Sequence, residues 1–173
     1  MKAGDCIQQN ILAGNPPFQR CGGYDVWSDT GTADENHCFF PSLHALDEIF
    51  ESYPNATILM VIRNSKDWLE SISRWRKAKL KSHLRNCTFP NFEFNPNDLI
   101  SFYDRHTEAI RSFAREHPSM TYIEVDLEAP ETALILEARI GIPAFCWRHC
   151  HPDQVPYCPS QNITEGEGFP WNL

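Results

Sequence analysis

Arg63 and Ser71 stand eight residues apart in the stretch IRNSKDWLESISRW, and together these residue types can bind phosphate. A guanidinium is a planar fork of donors matched to phosphate oxygens. A serine hydroxyl adds one more donor. The chain around them supplies a third source of donors. The apolar run TILMV leads into the arginine, and Asn64 or Ser65 can cap a helix with Asp67 in its first turn, where a carboxylate suits the helix dipole. An arginine between a strand and a helix N-terminus lies beside free backbone N–H groups and the positive end of that dipole. Ser71 is expected on the inner side of the helix, completing a phosphate clamp. The competing reading gives Arg63 a surface ion pair and Ser71 a packing role.

The elements that must position this pair follow from the periodicity. Thr57 to Ile62 is continuously apolar, the character of a parallel strand buried on both faces. Trp68, Leu69, Ile72 and Trp75 form the buried stripe of the helix after it. Upstream, Ile7 to Leu12 reads as a short helix, YDVWS as a short strand, and Pro41-Ser42 as the start of a helix through LHALDEIFESY. Downstream, Asn97 is expected to cap a long helix whose apolar stripe carries Leu99, Phe102, Tyr103, His106, Ile110 and Phe113 and which ends at His117-Pro118. On that apolar face His106 reads as a satisfied core histidine rather than a ligand. TYIEVDL is a second strand, and Glu131 to Ile140 a helix with Gly141 as its C-cap. Strand, helix, long helix, strand, helix is an α/β order, with a right-handed crossover between two parallel strands. In such sheets ligands bind at the carboxyl ends of the strands, where Arg63 stands.

The bulk properties bound the function. The chain has 173 residues, 42% of them hydrophobic, enough for one domain with a core, and a net charge of −8 that argues against nucleic acid as a partner. Positive charge is nonetheless concentrated: Arg74, Arg76, Lys77, Lys79, Lys81 and Arg85 fall together with no acid among them. That stretch is either a solvated helix face or a rim attracting an anion. The longest apolar run is strand-sized, so no membrane segment is expected, and MKAGDCIQQN lacks the apolar centre of a signal peptide. Seven cysteines and three sequons, at Asn55, Asn86 and Asn162, favour the secretory pathway, with some disulfides, over the cytoplasm. Beyond Pro143 the tail is Cys- and Pro-rich and reads as irregular. Cys146, His149, Cys150, His151 and Cys158 fit no standard zinc module, so no metal is expected and one disulfide there is favoured.

The stretch around Arg63 resembles the 3′-phosphate-binding strand and helix of the sulfotransferases that use 3′-phosphoadenosine 5′-phosphosulfate. In them an Arg at the strand end and a Ser eight residues later hold the nucleotide's 3′-phosphate. Further stretches are similar to the carbohydrate, Golgi-type members, including an algal-like group: GDCIQQNILAGNPPF, CGGYDVW, CFFPSL, YPNATILMVIRN, DWLESISRW, YIEVDL and IGIPAFCW, in order from about residue 4 to about residue 150. The resemblance implies an α/β fold, a P-loop NTPase-like three-layer sandwich with a parallel sheet. It implies one sulfotransferase-like domain over residues 1–173, incomplete at its N-terminus. The family's phosphosulfate-binding loop is a Gly-rich turn carrying a Lys, and MKAGDC has neither the preceding strand nor the G-x-x-K-x-G order.

The implied activity is transfer of a sulfuryl group from 3′-phosphoadenosine 5′-phosphosulfate, without a metal, to a hydroxyl or amine of a glycan or small-molecule acceptor in the Golgi lumen. A general base takes the acceptor's proton. In the glycan-type enzymes a carboxylate before an aromatic pair does so. With Phe39-Phe40 as that pair, Asp34 and Glu35 are the nearest carboxylates, His37 competes, and Asp29 is a further candidate. Arg148 matches a basic loop that closes over the 3′-phosphate. Without the phosphosulfate loop, residues 1–173 alone are expected not to transfer sulfate. The alternative function is a non-catalytic lumenal binding domain that keeps the 3′-phosphate half-site. A nucleotide kinase is disfavoured because the sequence has no Walker loop.

Overall fold

The computed structural model of the chain describes residues 3–28, 30–33, 38–76, 84, 87–89, 94, 95, 97–144 and 147. It separates into two compact units, Met1–Leu127 and Glu128–Leu173. The first contains α1 (Ala3–Leu12), β1 (Thr32–Ala33), β2 (Cys38–Phe39), α2 (Pro41–His44), α3 (Leu46–Ser52), β3 (Thr57–Ile62), α4 (Ser65–Arg76), α5 (Leu99–Glu116) and β4 (Thr121–Asp126). In the second, α6 (Thr132–Ile140) buries Thr132 and Leu136 and stops at Gly141, whose φ of 73° is the left-handed cap conformation glycine adopts without strain.

The architecture is mixed α/β. β3 and β4 pair in parallel, with Thr57 opposite Thr121 and Ile62 opposite Asp126, and α4 and α5 lie between them in sequence as the crossover. The ladder is prolonged by one bond, Leu127 N–H to Ile62 O at 2.7 Å. β3 is not buried on both faces. Its residues alternate between exposed and half-buried, and Leu59 and Val61 keep 39% and 42% of their surface. Its partner β4 buries Ile123 and Val125. A continuous apolar run shows that a strand avoids water, but it does not show how many layers cover it.

Two apolar clusters hold the first unit together. One gathers Leu43, Leu84, Phe89 and Leu99, with Trp68, Leu69 and Phe102 packed against them. The other gathers Ile7, Phe39 and Ala45, with Ile11, Phe18 and Ile49 around them. A disulfide accompanies each: Cys38–Cys87 beside the first and Cys6–Cys21 beside the second. Gly4 makes room for the second cluster's neighbour, since a Cβ there would collide with the Thr30 carbonyl and the Thr32 side chain. The cysteines of the tail lie outside the described residues.

Several local expectations change. The helix expected from Pro41 is broken at Ala45, which is 1% exposed and has a non-helical φ of −147°. His44, the residue before the break, is bonded on both ring nitrogens. Its Nε2 meets the Thr88 carbonyl at 2.9 Å and its Nδ1 meets the Phe40 N–H at 3.0 Å; the tautomer with the proton on Nε2 satisfies both. YDVWS is not a strand. Tyr24 and Trp27 instead meet edge to face, and Phe18 stacks on Trp27 at 4.9 Å. The cap of α5 is Asp98 rather than Asn97: its Oδ1 accepts the Ser101 N–H at 3.0 Å and its Oδ2 the Ser101 hydroxyl at 2.7 Å. Helix α1 begins earlier than expected, at Ala3.

His106 is half-buried on α5, its Nε2 3.1 Å from Ser42 Oγ and its ring stacked on Phe102. It is a satisfied core residue that ties α2 to α5. Burial holds its pKa below the ordinary histidine value. The unfolded chain therefore binds a proton there before the folded chain does. Stability is complete above the ordinary histidine pKa and falls as pH drops below it, by at most about 1.4 kcal/mol per pH unit until the depressed folded pKa is reached. His106→Gln should remove this part of the acid sensitivity. Urea midpoints for wild type and variant, compared between about pH 7 and about pH 5.5, check it; parallel pH dependences would contradict it.

Candidate functional site

The chain leaves the sheet at Arg63 and enters α4 two residues later. Asn64 caps the helix: its Oδ1 accepts the Lys66 N–H at 2.9 Å, and its carbonyl accepts the Trp68 N–H at 2.9 Å. Asp67 sits in the first turn, a favourable place for a carboxylate. The backbone of Arg63 is held from α5. Tyr103 Oη accepts the Arg63 N–H at 2.9 Å and donates to the Arg63 carbonyl at 3.1 Å. The Tyr103 ring lies 4.8 Å from that of Trp68 on α4.

A cavity of about 380 Å³ opens at this strand end. Ile62, Arg63 and Ser65 line it from the β3–α4 junction, and Tyr103, Asp104, Thr107, Glu108 and Arg111 from α5. Its size suits a small molecule, and its place is the carboxyl end of a parallel strand, as expected. The lining combines guanidinium donors with hydroxyls and two carboxylates.

Arg111 is already committed. Its Nε and Nη2 each donate at 2.7 Å to the two carboxylate oxygens of Glu124 on β4, the bidentate geometry that makes such pairs strong. Tyr122 Oη donates to the same carboxylate. The Arg111 bond holds the Glu124 carboxyl below the usual carboxylate range and pushes the guanidinium's own pKa up. Burial, reinforced by the hydrogen bond to Glu124, pushes the Tyr122 phenol up as well. Arg111 and Glu124 therefore stay charged, Tyr122 stays a neutral donor, and the three remain bonded through the neutral range as a strut between α5 and β4. Glu108 accepts from Arg115 at 2.7 Å, so one of the cavity's carboxylates is likewise occupied. The sequence carries no local mark of this network, since an Arg on a helix and a Glu on a strand pair only once the two elements pack.

Of the residues singled out from sequence, Arg63 lines the cavity. Ser71 does not face inward: it is exposed on α4 and is not part of the lining, and the serine that shares the cavity with Arg63 is Ser65. Asp29, Asp34, Glu35, His37 and Arg148 lie outside the described residues. The strands on either side of residues 34–37 are described: Ala33 and Cys38 are antiparallel partners, and the buried Phe39 follows. Arg74, the first residue of the basic stretch, pairs with Glu70 one turn earlier, both exposed. That is a solvated helix face; the side chains from Arg76 through Lys81, and Arg85, lie outside the described residues.

Residues 33–94, about a third of the chain, match a family described as a sulfotransferase domain. No curated protein and no solved structure matches. The matched segment runs from β1 through α4 and beyond, and so contains the strand end, the helix N-terminus and Arg63. The match supports a sulfotransferase family for this segment, and with it sulfuryl transfer as the general chemistry and a nucleotide co-substrate and an acceptor as its partners.

Proposed function

We propose that this chain carries the nucleotide half-site of a sulfotransferase that moves a sulfuryl group from 3′-phosphoadenosine 5′-phosphosulfate to a hydroxyl or amine of a carbohydrate, in the Golgi lumen. One observation supports this most: the strand-end wall of the cavity, Ile62, Arg63 and Ser65, belongs to the segment that matches a sulfotransferase domain. In this reading Arg63 holds the 3′-phosphate at the N-terminal end of α4, where the helix dipole favours an anion. Ser65 adds a hydroxyl at the cavity. Asp104 offers an acceptor to a ligand hydroxyl. One of Asp34, Glu35, His37 or Asp29 takes the acceptor's proton.

Calorimetric titration tests the reading. Adenosine 3′,5′-bisphosphate should bind more tightly than adenosine 5′-phosphate, because only the former carries the group that Arg63 recognises. Equal affinities would exclude a 3′-phosphate site. In the same proposal residues 1–173 alone transfer no radiolabelled sulfate to a glycan acceptor, since their sequence holds no phosphosulfate loop; measurable transfer would show that another segment does that loop's work.

A further inference from the structure

A phosphate site needs its arginine held still as well as present, and one phenol holds the backbone of Arg63. Arg63 follows the last residue of β3, at the point where the chain turns out of the sheet. A backbone N–H and C=O at such a turn each need a partner. Both bonds go to a single atom, Tyr103 Oη, at 2.9 Å and 3.1 Å, from a residue 40 positions away on α5. A hydroxyl can do this because it accepts and donates at once. Neither phenylalanine nor any aliphatic residue could close either bond. The phenol is itself fixed, because the ring is 4.8 Å from that of Trp68, whose backbone N–H is bonded back to the carbonyl of Asn64, the cap of α4. Strand end, helix start and α5 thus meet at one peptide unit.

We propose that Tyr103 is the positioning residue for Arg63: it fixes the φ and ψ of Arg63 so that the guanidinium is held toward the cavity rather than sweeping through solvent. The inference rests on the reading that Arg63 binds phosphate. Arginine is a long arm, so a modest backbone rotation at its root displaces the donor fork far enough to break bidentate contact. Tyr103 does not have to touch the ligand's phosphate. Its effect passes through Arg63, and so it is felt only by ligands that Arg63 contacts.

The test is a double-mutant cycle of Tyr103→Phe and Arg63→Ala, read by calorimetric affinity for adenosine 3′,5′-bisphosphate and for adenosine 5′-phosphate. The phenylalanine keeps the ring against Trp68 and removes only the hydroxyl. Tyr103→Phe should weaken bisphosphate binding about fivefold, the worth of one ordinary hydrogen bond, and leave the 5′-phosphate unchanged. In the Arg63→Ala background it should have no further effect. A loss of equal size in both backgrounds, or for both nucleotides, would show a general structural role and overturn the proposal; so would no loss at all while Arg63→Ala alone weakens binding. If Arg63→Ala changes nothing, the phosphate reading itself fails, and the two failures are thereby told apart. A second measurement needs no variant: the Arg63 amide of the wild-type chain should be protected from hydrogen exchange, and exchange at the rate of an open loop would overturn the anchor.

Discussion

Replacing Arg63 with alanine is expected to weaken the binding of adenosine 3′,5′-bisphosphate by roughly tenfold to a hundredfold, the range of a hydrogen bond made by a charged group. The magnitude follows from where the residue stands. Arg63 lines the cavity at the carboxyl end of β3, one residue before the cap of α4. Arg111, which lines the same cavity, is held on Glu124 by two bonds of 2.7 Å, and freeing it would leave a half-buried carboxylate without its charged partner. Arg111 therefore does not readily replace Arg63. The fold should survive the substitution, because the Tyr103 bonds run to the backbone of Arg63 and persist in alanine. Arg63→Lys should fall between the two, keeping the charge and losing the planar fork. Affinity for adenosine 5′-phosphate serves as the control and should change little. An unaltered bisphosphate affinity in Arg63→Ala would remove the clamp from the account of this protein.

The second large effect concerns the covalent frame. Opening Cys38–Cys87, which closes a separation of 49 residues, should cost roughly 4 kcal/mol, and opening Cys6–Cys21, with a separation of 15, roughly 3 kcal/mol. The longer bridge acts on the cluster of Leu43, Leu84, Phe89 and Leu99, and Cys87 is itself a member of it. It also anchors β2 immediately after residues 34–37, where three of the base candidates stand. Losing about 4 kcal/mol is a large part of a typical domain's stability and corresponds to a fall in melting temperature on the order of 10 °C for a chain of this size. Scanning calorimetry of the Cys38→Ser, Cys87→Ser double variant should show that fall, with nucleotide affinity below the transition nearly kept, since the bridge does not border the cavity. A melting temperature within a degree or two of wild type would mean that the apolar cluster alone holds this region.

Much of the fold is legible in the sequence where the cause is local. The run TILMVI, the cap at Asn64 and the stripe of Trp68, Leu69 and Ile72 place a strand, a turn and a helix within a residue or two of where they lie. Gly141 ends its helix as a left-handed cap, and His106 is the bonded core histidine its apolar face implied. The misreadings have a common cause. Ala45 interrupts a helix-compatible sequence where it is itself buried and its neighbour His44 meets the distant Thr88 carbonyl. Tyr24 and Trp27, residue types favoured in strands, pack into an aromatic cluster with Phe18 instead. The ring of Tyr103 belongs to the apolar stripe of α5 as its spacing implies, while its hydroxyl is the atom that reaches Arg63.

Local chemistry alone placed Arg63 between a strand and a capped helix and made it a phosphate ligand candidate, because caps and periodicities depend on residues only a few positions apart. Tertiary structure decided the rest. It put Tyr103 on the backbone of Arg63 across 40 residues, committed Arg111 to Glu124, brought Ser65 rather than Ser71 into the cavity, and joined Cys38 to Cys87. Each of these is a contact between segments whose approach is set by how helices and strands pack, and no spacing within a single segment encodes it.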